Sequence, residues 1–381
     1  MAVRWPPGFT GAGTSCSIKA DGGLDLALLA SHHPVDWAGA FTRNAARAAC
    51  VDWCKALRGG TVRGVVANSG NANACTGRSG PRAVEATASA TADALGCRQD
   101  EVLIASTGPI GVPLPVDNIV SSVPRLVSQL CPDVDPFSHA ILTTDTVTKT
   151  SFASAGSASV VGVAKGAAML APNMATMLAF IATDASVQSD ELGPLITRTV
   201  DRTFNRISVD ACESTNDSVF LLASGLAGTI PSDEFARAVE HVCSDLAKQM
   251  VRDGEGATRL VRIEVHGASD EAGGLLLARA VAASALWRAA VYGGDPNWGR
   301  VLSAMGAADR TLDISTLELS IGSESLFCRG EVTGSRTAAA KAMDSDEFTV
   351  SCVVGRGPAS VEVLCSDLSP EYVNLNATGT L

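Results

Sequence analysis

Short β-branched runs outnumber the alanine-rich stretches of helical period along this 381-residue chain, and that imbalance restricts the fold more than any other property of the sequence. Runs that read as strands cover 62–67, 101–106, 159–164, 176–182, 218–223, 262–266, 317–321, 349–354 and 361–365. Stretches that read as helices cover 82–95, 117–130, 191–204, 233–252 and 275–290, with Ser232 placed to cap the fourth and Gly254 to stop it. Parallel strand pairs need long, usually helical, crossovers, and too few helices are available to supply them throughout. An α+β layered fold is therefore expected in preference to a doubly wound parallel sheet. The glycine-broken element Asp253-Gly254-Glu255-Gly256 follows the longest helix, and a division into residues 1–260 and a smaller α/β domain of 261–381 is expected there.

Composition narrows the class of partner. Hydrophobic residues make up 46% and charged residues 18%, which suits a packed core and argues against extensive disorder. The formal net charge of −11 would repel phosphate backbones, so nucleic acid is a poor candidate. No stretch reaches 18 uninterrupted apolar residues, and the first ten residues carry Pro6, Pro7 and Gly8 where a secretory signal would be apolar. Neither a membrane span nor export is expected. The eleven cysteines are an odd number without a Cys-x-x-Cys pair, and they read as reduced residues of a cytoplasmic protein, with no metal site. Cys50 and Cys54 come closest to ligand spacing but lack a second pair.

Chemistry concentrates in residues 165–180, Lys-Gly-Ala-Ala-Met-Leu-Ala-Pro-Asn-Met-Ala-Thr-Met-Leu-Ala-Phe. Thr176 stands there between a Gly/Pro-broken loop and an apolar run. A threonine opening a strand needs no more than β propensity to explain it. A threonine hydroxyl becomes a nucleophile, however, when a base sits beside it, and its own α-amine can be that base if the chain is cut just before it. That amine has an ordinary pKa of about 7.7 to 8.0, low enough to accept a proton near neutrality.

The segment resembles the Lys-Gly-x-Gly-Met-x-x-Pro-x-Met-Ala-Thr-Met-Leu signature of the ornithine acetyltransferase family, the bifunctional glutamate N-acetyltransferases of arginine biosynthesis. The resemblance implies self-cleavage at Ala175-Thr176, giving subunits 1–175 and 176–381 with Thr176 as the new N-terminus. It also implies an N-terminal-nucleophile-like sandwich of β-sheets and helices ahead of the C-terminal domain. Ser106-Thr107-Gly108-Pro109-Ile110-Gly111 resembles the family's Ser-Thr-Gly-x-Ile-Gly, which makes Thr107 and Gly108 the oxyanion donors. Ile141-Leu142-Thr143-Thr144-Asp145 resembles Ile-Met-Thr-Thr-Asp, assigning Thr143 to substrate, although by itself the run is an ordinary capped turn. Lys165, suited to a carboxylate, and Glu255, suited to an ammonium group, inherit substrate contacts in the same way.

Asp295-Pro296-Asn297-Trp298-Gly299-Arg300 matches a family stretch at every position and reads as a Pro-initiated turn with a buried Trp and an Arg able to form a bidentate pair. Two further stretches, 68–77 and 214–217, match without an assigned role. The chain departs from the family in its tail. Asn376, a substrate contact in relatives, is present, but Gly379 and Leu381 replace a Tyr and a terminal hydroxyl residue. Arg288-Ala289-Ala290 stands for Lys-Thr-Ala, and Ala168 for a Gly.

The resemblance thus implies a cofactor-free transfer of acetyl from N-acetylornithine to glutamate through acetyl-Thr176, by an assembly of two copies of each subunit. Acetyl-CoA as a further donor is left open. So are an amidase or aminopeptidase using water as acceptor, and a secondary-pathway paralogue with another acceptor.

Overall fold

The computed structural model of the chain describes residues 3–170 and 177–377. One unit runs to Asn205 and includes Cys212–Met250, and a second joins Arg206–Ala211 to the chain from Val251 onward. The sequence expectation put the division after residue 260. The first part of the chain supplies β1 (Phe9–Thr14), β2 (Leu26–Phe41), α1 (Ala49–Ala56), β3 (Thr61–Ser69), α2 (Ser79–Leu95), β4 (Val102–Thr107), α3 (Val116–Ser128), α4 (Asp135–Ala140), β5 (Lys149–Ala155), β6 (Ala158–Lys165), β7 (Leu178–Ser186) and α5 (Ser189–Arg202). There follow β8 (Ile207–Ser208), β9 (Ser218–Thr229), α6 (Ser232–Arg252), β10 (Leu260–Ala268), α7 (Glu271–Ala283), α8 (Ala285–Tyr292) and α9 (Trp298–Ala308). The C-terminal stretch adds β11 (Glu318–Ile321), β12 (Glu324–Cys328), β13 (Glu331–Val332), α10 (Arg336–Met343), β14 (Glu347–Val353), β15 (Ala359–Ser366) and α11 (Pro370–Ala377).

In the first unit an eight-stranded mixed sheet has the order β4-β3-β2-β9-β7-β6-β5, with β1 paired to β2. One face of it packs with α1 to α4 into a core centred on Phe137, Phe180 and Phe220, whose rings meet edge-on or stacked at 4.8 and 5.6 Å. Alternation along β6 turns Val161 and Val163 to that core and Gly162 to the opposite side. A Cβ on Gly162 would stand 2.5 Å from Val242 and 2.7 Å from Leu246, so α6 covers the second face at van der Waals distance. The sheet is therefore layered between helices, as the α+β expectation requires.

The second unit repeats the principle on a seven-stranded sheet ordered β13-β12-β11-β14-β10-β15-β8. Its core joins Val261, Ile263 and Val265 of β10 to Leu277, Val281 and Trp287 of α7 and α8. The single helix expected over 275–290 is in fact two. Ser284 leaves helical geometry and its Oγ accepts from Trp287 N at 3.2 Å, capping a new helix. Among the described residues no single helix is long and apolar enough to cross a membrane, and the apolar pair α7–α8 is bent by 57°.

The 295–300 stretch also differs from expectation. Trp298 opens α9 half-buried, stacked on Phe327 with centroids 5.3 Å apart, and Arg300 donates to the Leu286 carbonyl at 2.6 Å in place of a bidentate carboxylate pair. Asp295 instead meets Arg336 at 2.7 Å.

Candidate active site

Parallel β3 and β4 end side by side, Ser69 opposite Thr107, and both chains then turn sharply. Gly108 adopts φ +140°, a conformation that L side chains rarely take, so glycine alone suits this turn without strain. The turn is stitched to the one that follows β3. Asn71 N donates to Thr107 O at 3.0 Å, Ala72 N to Pro109 O at 3.1 Å and Gly111 N to Ala74 O at 3.0 Å. Asn71 Nδ2 adds bonds to the Val112 and Pro113 carbonyls. Beneath them the buried Asn216 amide donates to Ala72 O at 2.7 Å and Ser106 O at 2.8 Å, and Ser106 Oγ donates to Asn68 Oδ1 at 2.7 Å. These bonds give the stretches 68–77 and 214–217 the role the sequence left unassigned: they hold the Thr107–Gly108 turn rigid.

Lys165, the last residue of β6, reaches this turn. Its buried Nζ donates to Thr143 Oγ1 at 2.7 Å and to Thr107 Oγ1 at 3.3 Å. A hydroxyl that accepts from an ammonium keeps its own proton to give onward, so both threonines are set as donors. Thr107, Thr143 and Lys165 are thus brought together within the first unit, with Gly108 next in chain.

Two carboxyl groups missed as site residues complete the cluster. Asp145 has a fully buried side chain, with Oδ1 accepting from Lys149 Nζ at 2.7 Å and Gly166 N at 2.6 Å, and Oδ2 accepting from Thr143 N at 3.1 Å. Burial alone would raise its pKa, but the charges of Lys165 and Lys149 and the bonds to Lys149 and Gly166 outweigh that and hold it at about 2. Asp217 is also fully buried, and Met177 N, the amide that follows Thr176 in sequence, donates to its Oδ1 at 2.9 Å. Burial pushes the Asp217 carboxyl well above the usual range, against the opposing bond from Met177 and the charge of Lys165.

A depressed carboxylate stabilises the fold above its unfolded pKa, near 3.8, and that contribution is lost as pH falls through the folded value of about 2. The difference corresponds to about 2 kcal/mol. Thermal melts of wild type and Asp145→Asn between pH 6 and roughly pH 2 should show a steeper acid loss in wild type by about that amount. Parallel acid limbs would mean that Asp145 is not held as an ion.

Ala175 and Thr176, the expected cleavage pair, lie outside the described residues. Glu255 and Asn376 are both in the second unit, where Asn376 Nδ2 donates to Glu255 Oε2 at 2.7 Å. Gly256, at φ +66°, sits where a Cβ would stand 2.5 Å from Tyr372 N, so the turn after Glu255 packs on the start of α11. The variant residue Arg288 is buried in the same unit and donates to Ser366 O, Ser366 Oγ and Asp367 O at 2.8 to 3.1 Å, a structural staple. All eleven cysteines are free, and among the described residues no cluster of His, Cys, Asp or Glu is placed to hold a metal.

Residues 10–380 match the sequence model of the ArgJ family. The chain belongs to that family. It is 43% identical over 382 residues to the arginine biosynthesis bifunctional protein ArgJ of Thermus thermophilus, covering 100% of both chains. To the glutamate N-acetyltransferase of Methanopyrus kandleri it is 41% identical over 392 residues, covering 98% of this chain and 99% of that one. The crystal structure of the arginine biosynthesis bifunctional protein ArgJ from Bacillus halodurans superposes with a TM-score of 0.51 at 35% identity, covering 52% of this chain and 98% of that one. These ArgJ relatives carry the fold class read from the sequence.

Proposed function

We propose that the chain is a glutamate N-acetyltransferase of arginine biosynthesis that moves acetyl from N-acetylornithine to glutamate through Thr176. The observation that carries the site assignment is the convergence of Lys165 on Thr107 and Thr143, a cation and two polarised hydroxyls beside a glycine turn. The reaction is supported by whole-length identity to acetyltransferases, which favours transfer to an amine over hydrolysis.

Maturation comes first. Thr176 Oγ attacks the Ala175 carbonyl carbon, its proton passes to the Thr176 nitrogen as the C–N bond breaks, and water hydrolyses the resulting ester to leave residues 1–175 and 176–381. In turnover the freed α-amine takes the Oγ proton while Oγ attacks the acetyl carbonyl of N-acetylornithine. Donors from Thr107 and Gly108 stabilise the oxyanion. Ornithine leaves with the proton, and the glutamate amine attacks the Thr176 ester to give N-acetylglutamate and restore the hydroxyl. Lys165 holds a substrate carboxylate, and Thr143, Glu255 and Asn376 take the substrate's remaining polar groups. The bifunctional names of relatives support acetyl-CoA as a second donor to the same threonine. A cytoplasmic assembly of two copies of each subunit, acting on small molecules without a metal or bound cofactor, completes the reading.

Intact-mass analysis of purified protein tests it. The expected result is two chains split after Ala175, with N-acetylornithine adding one acetyl mass to the second chain and glutamate removing it as N-acetylglutamate. A chain that stays whole refutes self-cleavage, and release of free acetate at the rate of donor consumption would mark the protein as an amidase.

A further inference from the structure

Asp145 is shared unequally between two lysines. It bonds Lys149 at 2.7 Å, whereas Lys165 stands 3.8 Å from its other oxygen and donates to the hydroxyls of Thr143 and Thr107 at 2.7 and 3.3 Å. Lys149 opens β5 opposite Ala164 of β6, which places its backbone next to that of Lys165, and its ammonium also donates to the Val147 carbonyl at 3.3 Å. A lysine with no exposed side-chain surface is costly to bury and persists where it is paired. Were Lys149 absent, the nearest cation to the Asp145 carboxylate would be Lys165, and a movement of about 1 Å would turn their 3.8 Å separation into a charge-assisted hydrogen bond. Lys165 would then be tied to a protein carboxylate by a short bond and hold an incoming anion less strongly.

We propose that Lys149 is a positioning residue that engages Asp145 and thereby keeps the Lys165 ammonium directed at a substrate carboxylate. This rests on the reading of Lys165 as a carboxylate ligand. Among the described residues, the ionisable groups of Asp217 and Lys19 also act on Lys165, and the variants below leave both in place.

The test is steady-state kinetics of acetyl transfer by the matured full-length protein, with N-acetylornithine varied, for wild type, Lys165→Met, Lys149→Met and Lys149→Arg. Lys149→Met is expected to raise KM by about ten- to a hundredfold, the worth of one charge-assisted hydrogen bond, with a much smaller change in kcat. Lys149→Arg keeps a cation beside Asp145 and is expected to hold KM within about threefold of wild type. A KM raised equally in Lys149→Arg and Lys149→Met would mean that side-chain shape and not charge matters, and overturns the inference. If Lys149→Met does not fold, Lys149→Gln, which can still donate to Asp145 but carries no charge, takes its place with the same expected rise, and a wild-type KM there overturns the inference. An unchanged KM in Lys149→Met also overturns it while leaving the Lys165 assignment intact. An unchanged KM in Lys165→Met removes the substrate-carboxylate reading, and this inference with it.

Discussion

Thr176→Ala is expected to remain a single 381-residue chain and to lose roughly 10⁴-fold or more of the acetyl-transfer rate, the loss usual when a covalent nucleophile is removed. The two losses have one origin. The hydroxyl opens the chain and then carries the acetyl group, and the α-amine that serves as its base does not exist until the chain is open. Folding should survive the change, because the strand that follows is held independently. Met177 N donates to Asp217 Oδ1, Ser218 N donates to Met177 O at 3.2 Å, and Leu178 pairs with Ser218 in parallel register. Thr176→Ser keeps the hydroxyl and should still mature. Intact mass and the transfer assay, run on both variants with a thermal melt as the folding control, separate the outcomes. A Thr176→Ala protein that is cut after Ala175 would remove the threonine from the mechanism.

What could be read from the sequence were features with a local signature. Strands such as β3, β4, β6 and β10 announce themselves as β-branched runs, and α2, α3, α5 and α6 by their period. The missed strands break that local rule for tertiary reasons. In β1, Gly11 and Gly13 lower β propensity, yet a Cβ at Gly11 would stand 2.4 Å from Trp5 Nε1 and one at Gly13 2.0 Å from Pro136 O. The long strand β2 is interrupted by exposed His32, His33 and Pro34, where its register shifts between Ala30 and Val35, so no single alternation runs through it. The site divides along the same line. Thr107, Thr143 and Lys165 could be singled out because each lies in a motif that resembles the family's, and the structure brings both threonines within hydrogen-bond reach of Lys165. Asn71, Asn216, Asp145 and Lys149 act across long separations or through burial. Nothing in the short-range pattern of Thr144-Asp145-Thr146 distinguishes a surface turn from a fully buried carboxylate between two lysines.

Gly108→Ala is the sharpest test of the oxyanion turn, because the residue is fixed by two independent constraints. Its φ of +140° strains any L residue, and a Cβ there would stand 2.3 Å from Asn71 N and 2.5 Å from Gly70 C. Both neighbours are backbone, with no flexible side-chain end to swing away. The 70–73 and 107–109 segments must then separate, at the place where Asn71 N bonds Thr107 O. The Gly108 N–H and the Thr107 hydroxyl move with them, and loss of one oxyanion donor typically lowers kcat by about 10²- to 10³-fold. Self-cleavage passes through the same kind of tetrahedral oxyanion and should slow in parallel. Gly111→Ala is the matched control: it too has positive φ, at +83°, but its Cβ would meet nothing within 4 Å. It should carry backbone strain alone and keep kcat within a few-fold of wild type. Measuring kcat and the rate of chain cleavage for both variants, beside Thr107→Ala, distinguishes displacement of the donors from general strain. Equal, small effects at Gly108 and Gly111 would mean that the turn does not supply the oxyanion hole.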